Sequence, residues 1–261
     1  MKRILVTNDD GVHSDGIHAL AAALAPHGEV TIVAPHDEAS AIGHALTLRR
    51  PLRMEHLRER IYEVDGTPTD CVNIAITQLY HGMPDLIVSG INKGYNLGDD
   101  VTYSGTVSGA LEGALLGVPS LAVSLERSSG AYDFTHAAAA AASLAESVLG
   151  RGLPARTFLN MNVPTGRPAG VRVTVQAMRN HVTVVAERVD PRGRAYYWIE
   201  EGENNWEPHD RSDYQAVKDG YVSVTPLQPD LTAHDALSAV EQLVPAESPE
   251  RFRGNPRVGV E

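Results

Sequence analysis

The feature that most constrains this chain is a repeated alternation. Short, almost wholly apolar runs are separated by segments with helical spacing. Residues 3–6 form the first such run, and residues 15–24 follow it with apolar side chains at helical intervals. The strand signal returns at 29–34, 61–64, 84–89, 119–125 and 157–163, and helical stretches are read at 68–80, 106–116 and 134–149. A strand that is apolar throughout must be covered on both faces. The pattern therefore predicts the α/β class, with a mostly parallel sheet and helices on both faces. After Pro164 the texture changes to β segments at 171–175 and 182–189, a strand at 221–225 and a last helix at 233–243. Residues 196–221 hold six of the 14 aromatic side chains, which marks a packing or contact element rather than a linker. Residues 45–55 alternate in part and are read as strands broken near Pro51, and the apolar-poor residues 247–261 as a mobile tail. The whole, residues 1–261, reads as one domain with a β appendage.

Each polar cluster falls just after a predicted strand or at the start of a helix. These are Asn8-Asp9-Asp10-Gly11, Ser40, Asn92 with Asn96 in a Gly-rich loop over 90–105, and Ser104-Gly105-Thr106. In a parallel sheet such positions share the carboxyl edge, where ligands bind. Within a regular strand Asp9 and Asp10 would point to opposite faces, and Gly11 permits a turn that lets both converge. The donors are carboxylate, hydroxyl and amide oxygen, which suit Mg²⁺, Mn²⁺ or Ca²⁺ rather than zinc. Backbone N–H groups at Ser104-Gly105-Thr106 are unpaired at a helix start and favour an anion. Metal donors beside an anion cradle point to phosphate-ester hydrolysis by a metal-activated water. Blander roles stand beside these: a loop hydrogen bond for Ser40, positive-φ turns for Asn92 and Asn96, an N-cap for Ser104. His44, close to Ser40, is read either as a substrate contact or as a surface hydrogen-bonding residue.

Charge and cysteine usage narrow the class. With 22 Lys and Arg against 33 Asp and Glu, the net charge of −11 argues against a nucleic-acid-binding face. The single cysteine, Cys71, lies in an apolar helical pattern and is read as core; no intrachain disulfide is possible, which fits a reducing cytoplasm. No signal-peptide core and no bilayer-length apolar run is seen, so a soluble, cytoplasmic chain without membrane contact is expected.

Five stretches in order carry a resemblance. They are Val6-Thr7-Asn8-Asp9-Asp10-Gly11, Ser40-Ala41-Ile42-Gly43-His44, 66–72 (Gly-Thr-Pro-Thr-Asp-Cys-Val), 88–98 and 103–113. Together the chain resembles the stationary-phase survival protein SurE family of metal-dependent 5′/3′-nucleotidases over about residues 1–235. The resemblance implies a Rossmann-like core and a C-terminal β-hairpin arm, at about 180–225, exchanged between subunits of a homodimer or a dimer of dimers. It implies one divalent ion per subunit on Asp9, Asp10, Ser40 and Asn96, with Asp9 and Asp10 catalytic. It places Asn92 and the Ser104-Gly105-Thr106 turn on the phosphate side, where Asn8 and His44 are added as substrate contacts. The implied substrates are nucleoside 5′- and 3′-monophosphates, with short-chain polyphosphate a further one. Tyr95 stands where many relatives carry Pro. Two rivals remain at this level. A haloacid-dehalogenase-type phosphatase wants two acids separated by one residue, whereas Asp9 and Asp10 are adjacent. A non-catalytic nucleotide sensor would use a similar core, although no Gly-x-Gly-x-x-Gly follows the first strand.

Overall fold

The computed structural model describes residues 1–80 and 82–244, and for 179–183 and 200–204 the backbone alone. In chain order the elements are β1 (Arg3–Thr7), α1 (Asp15–Leu24), β2 (Glu29–Pro35), β3 (Met54–Arg58), β4 (Ile61–Val64), α2 (Pro68–Gln78) and β5 (Leu86–Lys93). Then come α3 (Gly105–Leu115), β6 (Ser120–Leu125), α4 (Thr135–Arg151), β7 (Phe158–Val163) and β8 (Val171–Val173). The last are β9 (Arg179–Val189), β10 (Ala195–Trp206), α5 (Asp213–Lys218), β11 (Val222–Leu227) and α6 (Leu237–Glu241). The tail expected over 247–261 lies outside the described residues.

Nine strands form one sheet in the order β3-β4-β2-β1-β5-β6-β7-β11-β8. From β4 to β7 every pairing is parallel; β3 and β11 pair antiparallel to β4 and β7. Alternation along β1 explains the double covering. Ile4 and Val6 join the cluster built on α1 and α4, while Leu5 joins the one built on α2. Cys71 is fully buried in that second cluster, as its helical apolar setting predicts. Helix α2 starts on a capping box: Thr67 Oγ1 accepts from Asp70 N (3.1 Å), and Asp70 Oδ2 accepts from Thr67 N (2.9 Å).

The chain passes from β1 outward to β2 and β4, then returns to the opposite side of β1 as β5. Strand order therefore reverses between β1 and β5, and a crevice opens at their carboxyl ends. Two expectations need correction. Strand β5 runs on to Lys93, into the expected loop, and residues Gly98–Thr102 make a 3₁₀ turn. Of the strands expected over 45–55 only the end is found, where β3 (Met54–Arg58) begins. The expected C-terminal β-hairpin is present: among the described residues strands β9 and β10 pair only with each other, as a two-stranded antiparallel ribbon outside the main sheet. At the base of this ribbon Trp206 stacks on Tyr214, ring centroids 4.6 Å apart. Contacts divide the chain into two compact units, Met1–Pro229 and Asp230–Glu261. In the described part of the second, a 3₁₀ turn (His234–Ala236) precedes the short α6, where one helix over 233–243 is expected.

Helix α3 packs closely because its inner positions are small. A Cβ on Gly113 would meet Ser120 Oγ and stand 2.8 Å from Ile87 Cδ1. Gly113→Ala is expected to destabilise by about 1–3 kcal/mol, the usual cost of overpacking. The same change at Gly150, in α4 with nothing within 4 Å, is expected to stabilise by up to about 1 kcal/mol through helix propensity. Urea unfolding of the two variants checks this; equal effects would contradict the packing argument.

Candidate active site

The turn after β1 is held by one of its own side chains and by the backbone of β2. Asn8 Nδ2 donates to Gly11 O (3.0 Å), Val12 N to Pro35 O (2.8 Å), and Gly11 adopts φ 92°. Asn8 is fully buried, and its Oδ1 has no partner. The turn brings Asp9 and Asp10 into the crevice between β1 and β5.

Asp9 is 5% exposed. Thr106 Oγ1 donates to its Oδ1. The start of α3 lies directly against it, since a Cβ on Gly105 would stand 2.7 Å from Asp9 Cβ and 2.9 Å from Oδ2. Only glycine permits that approach. Burial pushes the Asp9 carboxyl up from 3.8 to about 6; the Thr106 bond opposes this and the Asp10 charge adds to it. Asp10 is half-buried, and its Oδ2 is a buried oxygen without a partner. Its carboxyl is also raised, chiefly by burial, with Lys93 opposing and Glu38 reinforcing. Two adjacent carboxylates, desolvated and under-neutralised, are what a cation would relieve.

Asn96 is buried and fixed on all sides. Its N–H donates to Asn162 Oδ1 (2.8 Å) and its Nδ2 to Ser124 Oγ (2.7 Å), while Asn160 Nδ2 (2.8 Å) and Asn162 Nδ2 (3.1 Å) donate to its carbonyl. With Nδ2 committed, Oδ1 is the atom left for a ligand. Asn92 donates from Nδ2 to Gly94 O (2.9 Å). The positive-φ reading of these asparagines is corrected: left-handed conformations fall on Gly90, Gly94 and Gly98, and on neither asparagine.

The other expected residues take more local roles. Ser104 is the N-cap of α3, accepting from Val107 N (3.1 Å). Ser40 is exposed, and its Oγ donates to Glu38 Oε1 (2.6 Å). As the donor in that bond it keeps its lone pairs. Ala39, its neighbour, donates from N to Asp9 O (2.8 Å), so this loop reaches the site through backbone. His44 does not join the carboxylate pair. Its Nε2 donates to Glu112 Oε2 (2.7 Å), and Glu112 lies six residues beyond Thr106 on α3, about 9 Å along the axis.

Glu112 is a residue that the sequence pattern does not single out. It is buried and also accepts from Asn73 Nδ2 (2.7 Å). Burial raises its carboxyl, but the bonds from His44 and Asn73 outweigh that and leave it below the usual value. An acid on the small, apolar face of 106–116 is its one sequence signal. Asn160 and Asn162 are likewise unexpected, although two asparagines at period two in an apolar strand must share one face. Among the described residues no group of three or more His, Cys, Asp or Glu side chains converges; at the end of β1 two carboxylates, Asp9 and Asp10, lie beside the buried amide oxygen of Asn8. Oxygen donors of this kind suit a hard cation rather than zinc.

Comparison with known proteins adds to this geometry. The family model "Survival protein SurE" matches residues 4–183. The 5′-nucleotidase SurE of Syntrophotalea carbinolica is 55% identical over 230 residues, covering 88% of this chain and 92% of that protein. The 5′-nucleotidase SurE of Geobacter sulfurreducens is 53% identical, covering 91% of this chain and 92% of its own length. The crystal structure of the SurE protein from Aquifex aeolicus superposes with a TM-score of 0.82 at 43% identity, over 92% of this chain and 99% of that one.

Proposed function

The chain belongs to the SurE family, and from that premise we propose that it hydrolyses nucleoside 5′-monophosphates to nucleoside and phosphate. One observation carries the reading. Asp9 and Asp10 stand together at the strand-order reversal, with Asp10 Oδ2 and Asn8 Oδ1 buried and unpartnered, against the N-terminal turn of α3. These orphaned oxygens fit a divalent ion, Mg²⁺ or Mn²⁺, held by Asp9 and Asp10 and completed by Asn96 Oδ1 and the Ser40 hydroxyl. When bound, the ion supplies Lewis-acid chemistry toward a phosphoryl oxygen. Gly105 offers its backbone N–H to the phosphate at the positive end of α3, while the Thr106 N–H and hydroxyl both turn to Asp9. Lys93 and the Asn92 side chain lie at the end of β5, on the other wall of the crevice. Thr106 fixes the rotamer of Asp9, and the Asn96 network fixes the neutral donor.

Water is the attacking group, because the Ser104 hydroxyl is engaged as the cap of α3 and no base bonds it among the described residues. Phosphate release from AMP or GMP with Mn²⁺, and none with chelator, is the test. Binding without turnover would instead make the chain a nucleotide sensor, and a phosphoryl adduct trapped on Asp9, Asp10 or Ser104 would refute direct attack. Among the described residues no helix is long and apolar enough to cross a membrane.

Assembly follows from the ribbon. Tyr197, Trp198 and Ile199 on β10 are 61%, 58% and 80% exposed, more apolar surface than a free two-stranded ribbon normally carries. We infer that a second copy covers it, as a homodimer or a dimer of dimers. Light scattering at micromolar concentration is expected to give two or four chains, and a monomer would overturn the inference.

A further inference from the structure

Ser40 does not fix its own position. It is exposed, and among the described residues its side chain bonds only Glu38, in the same loop. The loop is held at its flanks instead. On one side Ala39 N donates to Asp9 O (2.8 Å), and Ala39 O lies 3.2 Å from where a Cβ on Gly105 would stand. On the other, Gly43 N donates to Tyr103 O (3.0 Å) and His44 Nε2 donates to Glu112 Oε2 (2.7 Å). Between Ser40 and His44, Ala41 sits at φ 53° and Gly43 at φ 59°. A left-handed alanine persists only where its surroundings impose it.

Glu112 is the firmest of these anchors. Its side chain is 8% exposed, against 30% for His44. Asn73 Nδ2, on α2, donates to its other oxygen, Oε1 (2.7 Å). One buried carboxylate thus ties α2, α3 and the Ser40 loop together. A buried carboxylate that loses a partner is costly, so the bond to His44 resists opening. His44 and Glu112 do not converge with Asp9 and Asp10, so they are not themselves donors to the ion. Resting on the metal-dependent phosphomonoesterase reading, we propose that Glu112, acting through His44, is a positioning residue for Ser40. It fixes the loop over 39–44, so that the Ser40 hydroxyl stays available to the ion held by Asp9 and Asp10.

Calorimetry of Mn²⁺ binding to the full-length protein, without nucleotide, tests this, with melting temperatures as the folding control. Ser40→Ala and His44→Ala are each expected to weaken Mn²⁺ binding at least about fivefold. Because His44 acts through Ser40, the double variant is expected to lose no more than about twofold beyond the larger single loss. A merely stabilising pair would leave Mn²⁺ affinity in His44→Ala within about twofold, or let the two losses multiply, and either result overturns the proposal. Glu112→Ala removes both bonds and is expected to lose as much as His44→Ala. Glu112→Gln keeps them: its amide accepts from Asn73 and donates to the imidazole, whose Nε2 can be donor or acceptor by tautomer. Its Mn²⁺ affinity is expected within about twofold of the unaltered protein. Equal losses in the two Glu112 variants overturn the proposal, since a tether needs the bonds and not the charge. Should Glu112→Ala melt too low to assay, His44→Ala and the double variant decide. If the unaltered protein binds no Mn²⁺, the metal reading fails and takes this inference with it; if it binds Mn²⁺ and His44→Ala binds it equally, only this inference fails.

Discussion

Asp9→Asn and Asp10→Asn are each expected to lower kcat/KM for a nucleoside monophosphate at least about a hundredfold, equivalent to about 2.7 kcal/mol of transition-state stabilisation. Each change keeps the side chain's shape and removes one of the two formal charges at the sheet edge. For Asp9 the bond from Thr106 survives, because an asparagine Oδ1 still accepts. Ser40→Ala is expected to cost less, since water can take the place of an exposed neutral donor. Folding is expected to survive all three changes. Asp9 and Asp10 are both desolvated and the Asp10 charge adds to the cost of ionising Asp9, so loss of one charge relieves the native state. Kinetics across a Mn²⁺ titration, with thermal melts as control, measure this. Near-normal activity of both Asp variants at limiting metal would place the reaction elsewhere.

In chelator, stability is expected to fall as pH rises from about 4 to 6. The sign follows from the direction of the Asp9 shift. Its native carboxyl is held at about 6 against the usual 3.8, so between those values the folded chain binds more protons than the unfolded one. Stability then decreases with pH across that window, and the penalty is complete above it, at about 3 kcal/mol. Asp10 and the buried Asp213 are raised as well and act in the same direction. The difference between the unaltered protein and Asp9→Asn isolates the Asp9 share: the variant is expected to melt higher above pH 6 and to show a shallower slope. Adding Mn²⁺ at pH 7 is expected to restore the unaltered protein, because an ion that binds only the native state stabilises it. A variant that melts lower at pH 7 in chelator would contradict the burial argument.

Local chemistry is what the chain displays in its sequence. Apolar runs of strand length, helical spacing between them, the Pro68 start of α2 and the Gly11 turn all act within a few residues, so their signals lie close together in the chain. The placement of Asp9, Asp10, Asn96 and Ser104-Gly105-Thr106 near one sheet edge followed from parallel alternation alone. Legibility failed where the deciding partner was distant. β5 runs on to Lys93 because β6 pairs with it at Asn92 and Lys93, a register that residues 84–93 do not encode. Glu112 is tolerable in a buried helix face only because His44 and Asn73, 68 and 39 residues away, both bond it. His44 is held to Glu112 for the same reason.

Sequence by itself determined the class of fold, the residue types of the site and the oxygen chemistry they offer, because period and donor identity are properties of short stretches. Tertiary structure alone decided which strands are neighbours, and so put the order reversal between β1 and β5. It also gave the Thr106 hydroxyl to Asp9 rather than to an anion, and tied Asn96 to β6 and β7. Those outcomes depend on burial and on pairing between segments far apart in the chain, where desolvation makes each unpaired polar atom costly and so selects one arrangement.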